Sequence, residues 1–176
     1  MKWLLLLIGF TAFSQTEQIT PAQDIQSSFD SMYYIARAGG RLSDRMVKQF
    51  TTVDSAIANS RNTYHWYAGR DGNTIYDSIR LMVIEASNIT CYEKYLVTFN
   101  PQGKQMGILN VGYWCDRSSY VSEYVYTDYK WIGGNTIAII DYEVIDRQGD
   151  GNRWYNQAKF TRTFRIAPDG TIDVME

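Results

Sequence analysis

The segment DRQGDGN, residues 146–152, sets Asp146, Gln148, Asp150 and Asn152 at alternate positions, with Gly151 in the sixth place. Oxygen-bearing side chains at every second position ahead of a glycine form the first half of a calcium-binding loop. The second half fails. Trp154 stands in the ninth place and Gln157 in the twelfth, where a bidentate glutamate is needed. Calcium takes about six to eight oxygens, and only Asp146 and Asp150 bring charge. Glycine, aspartate and asparagine are also the residues that a wide turn uses for its positive-φ positions. The segment is therefore read as a turn, Asp146 and Asp150 are weak cation ligands at most, and no cofactor is expected.

Acid–base chemistry has few other candidates. His65 is the only histidine, so a nucleophile–histidine–acid system or an imidazole-ligated zinc would have to use it, without the partners that such sites require. Asp141 and Glu143 lie two residues apart on one face of an expected strand. Carboxylates about 5–9 Å apart hydrolyse glycosides, and this spacing reaches the shorter end of that range. Glu93 and Arg162 each interrupt an apolar strand face, and a buried pair of opposite charge would neutralise both. Glycine-rich phosphate loops, H-E-x-x-H, G-x-S-x-G and cysteine-rich metal spacings are all missing from the sequence, which disfavours nucleotide use and zinc hydrolysis.

The stronger signal is aromatic. Fourteen tyrosines and five tryptophans stand beside three prolines. In the segment 120–132, Tyr120, Tyr124 and Tyr126 fall on one face of a strand, and Val121, Val125, Tyr129 and Trp131 on the other. A half-buried strand hides one of these sets. If the tyrosines face outward, joined by Tyr92 and Tyr155, they make a flat amphipathic surface suited to a ligand, because tyrosine is apolar at one end and hydrogen-bonding at the other. The competing reading is that these rings only stabilise the sheet as cross-strand pairs.

The elements that must position these residues are mostly strands. Thr20-Pro21-Ala22-Gln23 has the form of a helix cap, and Ile25, Phe29, Met32, Tyr33 and Ala36 follow on one helical face until Gly39-Gly40. A weaker helix is expected from a Ser43 cap through Met46, Val47, Phe50, Val53 and Ile57. From Tyr64 the apolar period becomes two, broken by Asp71-Gly72, Asn100-Pro101-Gln102-Gly103, Gly133-Gly134, the 146–152 segment and Pro168-Asp169-Gly170. Strands are expected near 64–69, 74–86, 89–99, 105–115, 120–132, 135–146, 153–166 and 171–175. The fold class is α+β: one or two N-terminal helices (within 20–58) packed on an antiparallel meander (64–175) of about six to eight strands. A small barrel with peripheral helices is the alternative.

Two details test this reading. With glycine left-handed at the end of the Asn100–Lys104 turn, Ile89, Cys91, Tyr95, Val97 and Phe99 share a face with Leu109, Val111, Tyr113 and Cys115. Cys91 then lies opposite Tyr113 and diagonal to Cys115, near the limit for a disulfide. A shift of two residues in the second strand would bring the cysteines directly opposite; without it they are two buried thiols. In 153–166, Trp154, Ala158, Phe160, Phe164 and Ile166 alternate with polar residues, as in a sheet with one covered and one wet face.

The first residues, MKWLLLLIGFTAFSQ, place one lysine before an apolar run from Trp3 to Phe13 and small residues after it. This is the pattern of a cleaved secretory signal over residues 1–14, and the run is too short to span a bilayer, which takes about 20 residues. Residues 15–176 would form a single globular domain of 162 residues with net charge −3, against −2 for the whole chain. That charge offers no field for nucleic acid. The protein is expected to be exported, periplasmic or extracellular, and to act as a non-catalytic module that binds protein or glycan through an aromatic sheet face. A small extracytoplasmic hydrolase using the paired carboxylates is the alternative, and a purely structural envelope component the third reading.

Overall fold

The computed structural model describes residues 21–53, 65–69, 76, 78–88, 91–115, 123–146 and 154–175. Helix α1 is Pro21–Arg37, opened by a proline whose fixed φ suits the first helical turn. Phe29, Met32 and Ala36 are buried, with Tyr33 and Ile35 packed beside them. Gly39, at φ 68°, takes the left-handed conformation that ends the helix. The two-residue strand β1, Arg41–Leu42, comes next. It is too short to leave a period in the sequence.

Helix α2 is Asp44–Phe50, capped by Ser43, whose hydroxyl accepts from the Met46 amide at 3.3 Å. It is shorter than the periodicity through Ile57 suggests. Thr51 is extended, and its hydroxyl donates to the Val47 carbonyl at 2.7 Å, the local competition with helix that threonine offers. Residues 54–57 of the expected helix lie outside the described residues.

Eight more strands follow: β2 His65–Gly69, β3 Arg80–Ser87, β4 Cys91–Phe99, β5 Gln105–Cys115, β6 Glu123–Gly133, β7 Thr136–Asp146, β8 Trp154–Ile166 and β9 Ile172–Met175. Each pairs antiparallel with the next, in chain order from β1 to β9. The sheet is an open meander, not a barrel. The turn between β4 and β5 has the expected form: Gly103 is at φ 81°, its amide donates to the Asn100 carbonyl at 3.0 Å, and the Asn100 amide donates to Lys104 at 3.0 Å.

The expectation of one covered and one wet face needs correction, because the first half of the sheet is buried on both sides. On one side, Trp66, Ala68, Met82, Ile84, Ala86, Tyr95, Val97 and Phe99 pack against Phe29 and Met32 of α1 and Val47 and Phe50 of α2. On the other, Leu81, Val83 and Leu96 join Val111, Ile137, Ile139, Phe164 and Ile166 in a second core. Strands β3 and β4 reach β7 and β8 across this core although two strands separate them in the sheet, so the meander coils over its own face. The β8–β9 turn seals the contact, with the Thr98 hydroxyl donating to the Gly170 carbonyl. Beyond this core β8 opens to solvent. Phe164 and Ile166 are buried as their alternation implies, but Ala158 is exposed and Phe160 is 59 % exposed.

The β4–β5 register also differs from a plain hairpin. It shifts once between Thr98 and Phe99 and again between Lys94 and Tyr95, leaving Met106 and Val111 as the extra residues of two bulges. Leu109 and Val111, expected beside Tyr95 and Val97, belong instead to the second core. The two single steps add to the shift of two that brings Cys91 directly opposite Cys115. The cysteines are bridged, with Cα atoms 4.0 Å apart.

Candidate functional site

The coiled sheet leaves part of its inner face uncovered beyond the second core. Cross-strand pairing runs from Arg41 to Tyr67, from Tyr67 to Glu85, from Glu85 to Lys94 and from Lys94 to Gly112, so five strands contribute one residue each to a single row. The next row is His65, Ser87, Tyr92 and Trp114. Alternation along β3 and β4 puts these rows on the face of Leu81, Val83 and Leu96 and away from the helices. They form an aromatic platform whose outer rings, Tyr67 and Trp114, are 38 % and 40 % exposed.

Lys94 is the centre of this platform. Its ammonium lies 3.7 Å from Glu85, 5.4 Å from the centre of the Tyr92 ring and 5.9 Å from that of Tyr129. A cation held over aromatic faces and paired with one acid is fixed in position and still partly solvated. Gly112 makes the space for it, since a Cβ there would sit 3.1 Å from Lys94 Cβ and 3.3 Å from Cγ and Cδ. The Tyr92 hydroxyl bonds to Glu85, and its pKa is pushed well above the usual tyrosine value by burial first and then by Glu85 and Asp128. Tyr92 is therefore a neutral donor throughout the physiological range.

At the opposite end of the platform, Arg41 Nη2 donates to His65 Nδ1 at 3.1 Å. His65 is exposed and its neighbour is a cation, and among the described residues no acid orients it as a base. Arg41 also lines a cleft of about 550 Å³ with Leu42, Ser43, Asp44, Arg45 and Trp66.

The other sequence candidates are placed elsewhere. Tyr126 is half-buried and stacks on Tyr142, ring centres 4.9 Å apart and planes 15° from parallel. Tyr124 pairs with Val144 in the same register set, whereas Tyr155 pairs with Ile145, in the alternate set. That offset follows from the β7–β8 bulge between Asp141 and Tyr142, which shifts the pairing by one residue. Tyr120 lies outside the described residues, as do residues 147–153 and hence Asp150. Asp146 is the last residue of β7, paired with Trp154. Among the described residues no group of three metal-ligating side chains occurs.

The carboxylates each have their own partner. Asp141 accepts from the Thr127 hydroxyl at 2.8 Å and pairs with Arg162 at 3.3 Å, and Glu143 pairs with Lys159. Glu93 is 3 % exposed and accepts from the Tyr95 hydroxyl. The suggested Glu93–Arg162 pair is thus replaced by two separate ones. Sequence reasoning missed Tyr67, Glu85, Lys94 and Trp114 as a group, because they come from four strands and only the bulged β4–β5 register brings Trp114 beside the others. No protein-family model matches the chain, and no curated protein and no solved structure matches it either.

Proposed function

We propose that the protein is an exported, non-catalytic binding module that holds a glycan chain on the Tyr67–Trp114 platform. The observation that carries this reading is the pair of exposed rings flanking an internally neutralised Lys94–Glu85 pair on a face that the helices leave open. A sugar ring offers an apolar C–H face for an aromatic ring and hydroxyls at its edge. Tyr67 and Trp114 supply the first kind of contact, and Glu85, Ser87 and Lys94 supply donors and acceptors for the second. The partnering of Asp141 with Arg162 and of Glu143 with Lys159 favours binding over acid–base hydrolysis, which needs one carboxyl protonated beside an ionised one.

The test is calorimetric titration of the protein with a panel of soluble neutral and acidic polysaccharides. Removing both rings, in Tyr67→Ala/Trp114→Ala, should weaken binding by at least about tenfold, at roughly 1 kcal/mol per aromatic contact. Circular dichroism should be unchanged, since both side chains are at the surface. Tyr126→Ala serves as the comparison. If it abolishes binding while the platform variant binds normally, the ligand lies on the Tyr126–Tyr142 face. If no glycan binds, the reading fails.

A further inference from the structure

Resting on the platform as the glycan-binding face, we infer that its ligand is an acidic glycan, whose carboxylate is held at the Arg41–Arg45 cleft. Lys94 has Glu85, Arg80 has Asp30, Lys159 has Glu143 and Arg162 has Asp141. Among the described residues neither Arg41 nor Arg45 is ion-paired, and both line the same cleft. Arg41 is also the first residue of the platform's central row, directly opposite Tyr67. A chain lying on Tyr67 therefore runs into an unneutralised cation at that end.

The chemistry of the cleft narrows the anion. A guanidinium presents paired N–H donors that match the two oxygens of a carboxylate. The His65 contact uses one Arg41 nitrogen, Nη2, and holds that flexible side chain beside Tyr67, which lowers the entropy lost on binding. Asp44 also lines the cleft, so the two arginines and this acid sum to one positive charge. The remaining single positive charge suits a monoanionic uronate better than a dianionic phosphate. Ser43 is less available to a ligand, because its hydroxyl already accepts from the Met46 amide.

The experiment compares two forms of one polymer, trigalacturonate and its fully methyl-esterified counterpart, by calorimetry on the full protein at low and at physiological salt. The free acid should bind about tenfold more tightly than the ester, as expected for a carboxylate paired with partly exposed guanidinium groups, with the difference shrinking as salt rises. In Arg41→Gln/Arg45→Gln the acid should lose its advantage, so that the two forms bind alike. Equal binding of acid and ester to the native protein, or a preference that survives in the double variant, would overturn the inference and leave the platform reading standing. If neither form binds, the inference is overturned here too; silence across the neutral panel as well would remove the platform reading with it.

Discussion

The bridge between Cys91 and Cys115 should be a main support of the platform, and its contribution can be calculated. The cysteines are 24 residues apart in sequence. Closing a loop of that length removes conformational freedom from the unfolded chain worth roughly 3 kcal/mol. For a domain of this size that corresponds to a fall in Tm of about 6–12 °C. The perturbation is Cys91→Ala/Cys115→Ala, which also avoids leaving unpaired thiols. Unfolding would be followed by near-ultraviolet circular dichroism, with and without reductant. The native protein should lose stability in reductant by about the same amount as the double variant loses without it, and reductant should have no effect on the variant. A loss below about 1 kcal/mol would refute the reasoning, because it would mean that the unfolded chain already holds these strands together. The bridge also lies one residue from Tyr92 and from Trp114, which face one another across the two strands. The bridge therefore supports the framework of the site as well as the fold.

Two further outcomes follow from particular positions. Gly103→Ala places a side chain at φ 81° with its Cβ 2.5 Å from Cγ of the fully buried Phe29; urea denaturation should show a loss of at least about 2 kcal/mol, from left-handed strain plus displacement of that ring. Tyr92 ionises near 10.0 when unfolded and higher when folded, through burial and Glu85. Stability is then undiminished below that pH and falls as pH rises past it, because the unfolded state releases the proton first. Tyr92→Phe should flatten this part of the alkaline unfolding curve, and an unchanged slope would mean that Tyr92 is not the group responsible.

Much of the fold was legible in the sequence because turn residues and a period of two are local signals. Asn100–Lys104, Gly133-Gly134 and Pro168–Gly170 each separate strands whose ends fall close to the expected ones. Residues 80–87 show where local reading stops. The unbroken apolar run Leu81-Met82-Val83-Ile84 signals a strand buried on both faces, and all four side chains are buried. Such a run says that a second core exists, but not that β7 and β8 supply it. That depends on how far the sheet coils, a property of the nine described strands together. In β8 the alternation of Phe160, Phe164 and Ile166 identifies a face correctly. It does not reveal that the core ends before Phe160, leaving that ring in solvent.

The site was less legible, and for a reason that the β4–β5 pair makes explicit. In a plain hairpin closed by Asn100 and Lys104, Lys94 would face Asn110 and Tyr92 would face Gly112. The extra residues Met106 and Val111 advance β5 by two positions, so that Gly112 meets Lys94, Trp114 meets Tyr92 and Cys115 meets Cys91. The two bulges together clear the space for the lysine, assemble the aromatic pair and close the disulfide. A bulge adds one residue to one strand and so shifts the pairing beyond it, and here the added Val111 belongs to the second core with Leu96 and Ile139. That burial fixes the register, and the disulfide then prevents it from slipping. The β4–β5 side of the platform thus depends on two bulges, at Met106 and Val111, which explains why no motif in the sequence marks it.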